Sequence, residues 1–196
     1  MVFDSLTPVI KNCPSNFIQG NDPDMCMAFV NFSKVTATDN CDTNVDVYYW
    51  TTGATVLGGP DKFGTSGDMN PANDPILGQA NAKNYNFGIT TVHYFAVDNF
   101  GNISTECTFT IDIRDVQKPI ITKCPDSRNI FVNPNSCSGT VPNMIPELTF
   151  KDNCNVTVTQ SPVAGTLFGT MHNSTQIVTF TVTDQGGNTA TCTATL

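Results

Sequence analysis

The hydrophobic residues of this chain alternate with polar residues in short runs, as expected for β-strands that bury one face. In the clearest run, residues 177–183, Val178, Phe180 and Val182 alternate with threonines. No segment carries a convincing helical period, and Gly, Asn and Asp separate the runs as turn formers do. The pattern therefore predicts an all-β protein with many short strands in Greek-key sandwiches. Further strands are predicted at residues 45–50, 91–97, 107–111, 156–160 and 192–196.

The chain also repeats itself. Residues 8–14, PVIKNCP, match residues 119–125, PIITKCP, at an offset of 111. The eight cysteines fall into the two copies, four in each and in the same order. We therefore predict two tandem domains, residues 1–115 and 116–196. Because Leu196 aligns with Ile111 in the middle of the last strand, we expect the second domain to be incomplete at its C-terminus.

The first copy is longer than the second. The DNC motifs at 39–41 and 152–154 match at an offset of 113, but the Asp98 and Asp184 turns match at 86. This difference places an insertion within residues 58–85, a stretch rich in Gly, Pro and Asn that is typical of a long loop. We expect this loop to project from the first module and to be dispensable for folding. Four apolar residues are expected to contact the module itself or a partner: Phe63, Met69, Ile76 and Leu77.

Both ends of the chain resemble internal parts of the repeat. Residues 4–8 occupy the same place as residues 115–119, the junction between the copies. The chain is therefore expected to be an excerpt from a longer tandem array. Its start lacks the features of a signal peptide, and it contains no run of 18 apolar residues that would suggest a membrane span.

Taken together, the motifs resemble the hyalin repeat. They are P-x-I-x-x-C-P, a second cysteine with valine four residues later, D-N-C, V-x-Y/F-x-A/V, D-x-x-G-N, and a terminal C-x-F/A-x-I/L. The insertion, and Ala194 where the first copy has Phe109, depart from this pattern. The resemblance implies immunoglobulin-like β-sandwiches and a role in extracellular matrix, cell adhesion or a bacterial surface.

The eight cysteines are expected to form disulfides, two in each copy. Successive cysteines are at least 13 residues apart and none forms C-x-x-C, which argues against zinc. Four cysteines allow three pairings, and one alternative joins neighbours, such as Cys13–Cys26 and Cys41–Cys107. Hyalin-repeat proteins with two cysteines resemble this chain at its first and last positions. The resemblance therefore implies Cys13–Cys107, Cys26–Cys41, Cys124–Cys192 and Cys137–Cys154.

We expect no cofactor, and calcium is the one candidate that the acidic residues raise. The net charge is −8, and residues 1–115 hold 13 acids and 5 bases. This balance argues against nucleic acid or an anionic membrane as a partner. We expect Asp39, Asp98, Asp152 and Asp184 to form Asx turns and caps only, with calcium binding as the alternative. The candidate calcium ligands are Asp39, Asp42, Asp98, Asp112 and Asp115.

Neither of the two histidines lies in a recognisable catalytic motif, and no phosphate-binding loop is present, so we do not expect an enzyme. Glycosylation sequons occur at Asn31, Asn102, Asn155 and Asn173. The tight turn around Asn102 makes that site the least suitable.

The leading functional hypothesis is a secreted or cell-surface structural and adhesive segment of a longer matrix, surface or filament protein. Its expected partners are other repeats of the same chain or neighbouring copies. The alternative is a carbohydrate- or ligand-binding accessory module of a secreted protein, which would use Trp50 and residues 58–85.

Overall fold

The protein consists of two tandem, all-β, immunoglobulin-like sandwich domains. A computed structural model describes residues 3–59, 76–132, 137–169 and 173–196. One compact unit comprises Met1–Asp22 and Cys26–Arg114, and the other comprises Pro23–Met25 and Asp115–Leu196. Within the described ranges, no helix has the length and apolar character needed to cross a membrane.

The strands of the first unit form a five-stranded sheet and two further pairs. They are β1 (Val9–Lys11), β2 (Phe17–Gly20), β3 (Met27–Val30), β4 (Thr36–Thr38), β5 (Asp46–Gly53), β6 (Ile76–Leu77), β7 (Lys83–Asn86), β8 (Gly88–Val97) and β9 (Cys107–Arg114). The five-stranded sheet has the order β2-β9-β8-β5-β6, and the antiparallel pairs are β1–β4 and β3–β7.

The strands of the second unit form a three-stranded sheet and two pairs. They are β10 (Ile120–Lys123), β11 (Gly139–Thr140), β12 (Thr149–Lys151), β13 (Val156–Ser161), β14 (Leu167–Phe168), β15 (Ile177–Asp184) and β16 (Thr189–Thr195). The sheet has the order β13-β15-β16, and the pairs are β10–β12 and β11–β14. A 3₁₀ turn covers Ile145–Glu147.

The two units share one framework of strand pairs. The antiparallel set β5–β8–β9 corresponds to β13–β15–β16, β1–β4 to β10–β12, and β3–β7 to β11–β14. In the first unit β2 also pairs in parallel with β9, where the Thr110 amide donates to Asn16 Oδ1 at 2.8 Å. At the matching place in the second unit, the Thr195 amide donates to Ser127 Oγ at 2.9 Å. The sequence repeat is thus a repeat of structure.

The core of the first unit is aromatic and its hydroxyl groups are hydrogen-bonded. Tyr94 of β8 packs against Tyr49 of β5 and Phe109 of β9. Tyr85 and Tyr94 are fully buried, and both hydroxyls bond to Ala80: the Tyr85 hydroxyl donates to its carbonyl and the Tyr94 hydroxyl accepts from its amide, each at 2.7 Å. Burial raises the pKa of Tyr94 to about 12. A buried polar group needs such a partner, because leaving it unpaired costs about 1–3 kcal/mol.

The core of the second unit follows the predicted alternation. Val178, Phe180 and Val182 of β15 are all fully buried, while the threonines between them are only partly buried. The buried Gln160 side chain is hydrogen-bonded within this core. Its Oε1 accepts from the Met144 backbone amide at 2.9 Å, and its Nε2 donates to the Pro142 carbonyl at 2.8 Å.

The prediction of a dispensable loop at 58–85 is wrong at its C-terminal end. Residues 60–75, with Phe63 and Met69, lie outside the described residues. The described part contains β6 and β7, Ala80 and Tyr85 belong to the core, and Ile76 packs against it, whereas Leu77 is exposed. The alignment missed β7 because its counterpart in the second unit, β14, has only two residues and an unrelated sequence.

Candidate functional site

A hydrogen-bonded turn follows β8 in the first unit and organises an acidic side chain. Asp98 Oδ1 accepts from the amides of Phe100 and Asn102 at 2.9 and 2.8 Å, and its Oδ2 accepts from the Asn102 side chain at 2.8 Å. Gly101 closes the turn with a φ of 84°, a conformation that favours glycine. Burial acts to raise the pKa of Asp98, but the hydrogen bonds from Asn102, Phe100 and Gly101 outweigh it and lower that pKa.

The second unit repeats this turn after β15. Asp184 Oδ1 accepts from the Asn188 amide at 2.8 Å, and its Oδ2 accepts from the Asn188 side chain at 2.9 Å. The Asn188 side chain also donates to the Asp115 carbonyl at 3.1 Å, just as the Asn102 side chain donates to the Asp4 carbonyl at 3.3 Å. Each turn therefore holds the residue that precedes the first strand of its own unit.

These turns bring together three carboxylates in each unit. Each residue of a trio offers one carboxylate oxygen, and the three oxygens lie within 4.8 Å of one another. The two trios occupy equivalent positions of the repeat, at the offsets of 111, 113 and 86. We call Asp4, Asp39 and Asp98 the first aspartate cluster, and Asp115, Asp152 and Asp184 the second aspartate cluster.

Two carboxylate oxygens of the second aspartate cluster have no hydrogen-bond partner. Asp115 Oδ1 accepts from the Gln117 amide at 3.1 Å and from the Asn153 side chain at 3.2 Å. Asp152 Oδ2 accepts from the Cys154 amide at 2.9 Å. The other oxygens, Asp115 Oδ2 and Asp152 Oδ1, are buried and have no hydrogen-bond partner, and neither does the buried Asn153 Oδ1. Two of these unused acceptors belong to the cluster, and the third belongs to the adjacent residue Asn153.

The second aspartate cluster is shielded from water and has no neutralising partner in the described ranges. Asp115 is 5% exposed and Asp184 is 6% exposed. Among the described residues, no lysine, arginine or histidine forms an ion pair with these carboxylates. Burial, and then repulsion by Asp115 and Asp184, raise the pKa of Asp152. Three carboxylates therefore lie close together without a cationic partner among the described residues, and hydrogen bonds reach only some of their oxygens.

The structure places three of the five sequence-predicted calcium ligands in the aspartate clusters. Asp39, Asp98 and Asp115 do lie in the clusters. Asp42 does not, because both of its oxygens accept backbone amides, from Asn44 at 2.8 Å and Asn99 at 2.9 Å. Asp112 does not either, since it pairs with Arg114 at 2.9 Å on β9.

Sequence reasoning overlooked Asp4, Asp152 and Asp184 as candidate ligands. The signal that could have found them is the repeat alignment itself. Each of the three aligns with an aspartate in the other copy, at the offsets already used to define the repeat.

The predicted outer disulfides are present in both units. Cys13 is joined to Cys107 with their Cα atoms 5.9 Å apart, and Cys124 to Cys192 at 6.1 Å. In each case the first cysteine follows the first strand and the second lies in the last strand. Each bridge therefore ties together the two ends of its unit.

The predicted inner disulfides, Cys26–Cys41 and Cys137–Cys154, are wrong. Cys41 and Cys137 are exposed free thiols, although Cys26 and Cys154 are disulfide-bonded. The resemblance to hyalin repeats implied these pairs, together with the expectation that every cysteine is oxidised within its own copy. The free thiols of Cys41 and Cys137 contradict that expectation.

The four sequon asparagines differ in their surroundings. Asn31, Asn155 and Asn173 are exposed. The side-chain amide of Asn102, however, is committed to Asp98 and Asp4, so a glycan on this nitrogen would disrupt the turn.

Trp50, the candidate sugar-stacking residue, is engaged with neighbouring rings. Its ring stacks on that of His93 across β5 and β8, with centroids 4.7 Å apart and planes within 5°, and it also contacts Phe95 at 5.8 Å. Since stacking on a sugar needs an open ring face, this geometry does not favour a carbohydrate platform at Trp50.

Comparisons with known proteins define no family for the chain. No family model matches it, and no curated protein matches it. Among solved structures, it resembles Drosophila N-cadherin EC1-4 at 11% identity and a TM-score of 0.39, covering 97% of this chain and 49% of that one. Human desmocollin-1 ectodomain gives 13% and 0.30, with 99% and 37% covered. Clostridium thermocellum CbhA fibronectin(III)-like modules give 13% and 0.27, with 96% and 92% covered.

The chain thus spans about half the length of the cadherin chain, or less in desmocollin-1. Similarity at this level adds nothing to the function. The resemblance to hyalin repeats rests on the motifs alone.

Proposed function

We propose that this chain is a structural and adhesive segment of a longer extracellular protein, in which each β-sandwich acts as a cross-linked spacer that resists extension. The observation that carries the proposal is the same end-to-end disulfide in both units, Cys13–Cys107 and Cys124–Cys192. Disulfides of this kind persist in oxidising compartments, which supports a secreted or cell-surface location.

The position of each bridge supports a mechanical rather than a catalytic role. The bridges enclose sequence separations of 94 and 68 residues, so most of each unit lies inside a covalent loop. When the chain is pulled from its ends, residues inside a loop cannot extend until the disulfide is broken. An array of such units would keep its length under load even after its hydrogen bonds fail. Its expected partners are other repeats of the same chain or neighbouring copies.

Single-molecule force spectroscopy tests this proposal directly. Breaking a bridge under reducing conditions should release about 330 Å of extra contour length from the first unit and about 240 Å from the second, at roughly 3.6 Å per residue. The Cys13→Ala/Cys107→Ala variant is the matched control, and it should show the longer extension without reductant. Equal extensions in oxidised and reduced wild type would contradict the proposal.

Glycosylation is a further expectation of this proposal if the protein is made in a eukaryotic secretory pathway. Asn31, Asn155 and Asn173 are exposed and suited to carry glycan, whereas Asn102 is not. Enzymatic deglycosylation of protein secreted from eukaryotic cells, followed by intact-mass measurement, should remove glycan that maps only to the exposed sites. Glycan at Asn102 would contradict this assignment.

A further inference from the structure

We propose that each unit binds one calcium ion at its aspartate cluster, with Asp115, Asp152 and Asp184 as ligands in the second unit and Asp4, Asp39 and Asp98 in the first. This inference goes beyond the mechanical role and does not depend on it. It is carried furthest by the second aspartate cluster, whose geometry is the more enclosed.

The unpaired oxygens of the second aspartate cluster point to a ligand. Asp115 is only 5% exposed, and its Oδ2 has no hydrogen-bond donor. Asp152 Oδ1 and Asn153 Oδ1 are likewise buried and have no hydrogen-bond donor. Buried acceptors are normally hydrogen-bonded, so three unpaired ones beside converging carboxylates require an explanation. A cation coordinated by these oxygens supplies it.

The turn that contains Gly186 packs closely against Asp115. A Cβ at Gly186 would lie 2.5 Å from the Asp115 carbonyl oxygen and 2.8 Å from its Cβ. Glycine at this position therefore lets the turn and Asp115 come together. In the first unit the aligned residue is Phe100, and Asp4 is only partly buried. The first aspartate cluster is accordingly the more open of the two.

The chemistry of the ligands selects calcium. All the converging atoms are oxygens, which hard cations prefer, whereas zinc sites usually include histidine or cysteine. Calcium accepts six to eight oxygens in irregular geometry, and water completes its shell where the protein supplies too few. Magnesium demands a near-ideal octahedron, for which three carboxylates from separate loops are poorly suited.

The first aspartate cluster shares the same plan. Asp4 Oδ1 accepts from the Leu6 amide at 3.0 Å, while its Oδ2 is buried without a partner, as in Asp115. Asp39 Oδ1 accepts from the Cys41 amide at 2.9 Å, as Asp152 accepts from Cys154. Because the same hydrogen bonds and the same unpaired oxygen recur in both units, we expect both clusters to bind the same ion.

Equilibrium dialysis of the oxidised whole chain against calcium tests the proposal by stoichiometry. The wild type should bind two ions, with dissociation constants of about 10⁻⁴–10⁻³ M, the range of extracellular calcium modules. Asp115→Asn and Asp4→Asn should each bind one ion, and the double variant none. In each variant, the asparagine Oδ1 can still accept the hydrogen bonds that the aspartate Oδ1 accepts, while the unused Oδ2 is replaced by an NH2 group that cannot bind a cation.

Asp112→Asn is the matched control, since Asp112 is paired with Arg114 outside both clusters, and this variant should still bind two ions. Metal-free Asp115→Asn should melt at the same temperature as metal-free wild type or higher, because the substitution removes repulsion among carboxylates. If it fails to fold, Asp152→Asn serves in its place. No calcium binding at concentrations about tenfold above the expected range, or two ions still bound by Asp115→Asn, would overturn the proposal.

Discussion

Removing the Cys13–Cys107 bridge should destabilise the first unit by about 4–5 kcal/mol. The sequence separation of 94 residues gives a loop-closure contribution of about 4.7 kcal/mol at 25 °C. A domain of this size is stable by only about 5–15 kcal/mol, so the loss would bring it near its unfolding threshold. We choose alanine for both cysteines because Cys107 is 6% exposed, and serine would bury a hydroxyl group there.

Urea unfolding followed by tryptophan fluorescence measures this change in the first unit, because Trp50 is the single tryptophan of the chain. With a urea dependence of about 1–3 kcal/mol per molar, the midpoint should fall by at least about 1.5 M. The same comparison in reductant is the control, and there the wild type and the Cys13→Ala/Cys107→Ala variant should unfold together. A loss below about 1 kcal/mol under oxidising conditions would refute the loop-entropy argument.

Three further outcomes are expected. Tyr85→Phe should cost about 1–3 kcal/mol in urea unfolding, because the Ala80 carbonyl loses its buried donor; no measurable loss would show that this hydrogen bond is dispensable. Thiol titration of the native protein should find Cys41 and Cys137 only, with slow reaction at Cys41, whose pKa is raised by desolvation and by nearby carboxylates; four thiols would contradict the structure. The contribution of protonated Tyr94 to the stability of the first unit should be fully present below the unfolded tyrosine pKa of about 10 and be lost as pH rises through about 12, the raised pKa of Tyr94; a urea midpoint, followed by tryptophan fluorescence, that stays unchanged across this range would contradict it.

The strands and their buried faces were predictable because alternation maps directly onto the faces of a sheet. Val178, Phe180 and Val182 were recognisable as core residues for that reason. β7 was not, because its place is set by pairing with β3 and by the hydroxyl of Tyr85, which reaches Ala80 within the core. Such tertiary contacts leave no periodic signal in a four-residue strand.

The candidate site was only partly predictable for a similar reason. The D-x-x-G-N turn was visible locally, because Gly101 and Asn102 are turn residues. The convergence of Asp98 with Asp4 and Asp39 depends on the fold, which brings three segments distant in sequence to one place. The inner cysteines show the same limit, since sequence order alone does not determine which thiols meet.

Peptide mapping of protein isolated without reduction, and alkylated at once, tests the central claim most directly. We predict that the cross-linked peptides include one joining Cys13 to Cys107 and one joining Cys124 to Cys192, because these bridges close the two sandwich units. Alkylation of any of these four cysteines in the native protein, or their linkage to other cysteines, would contradict the account of two modules that are each cross-linked from end to end.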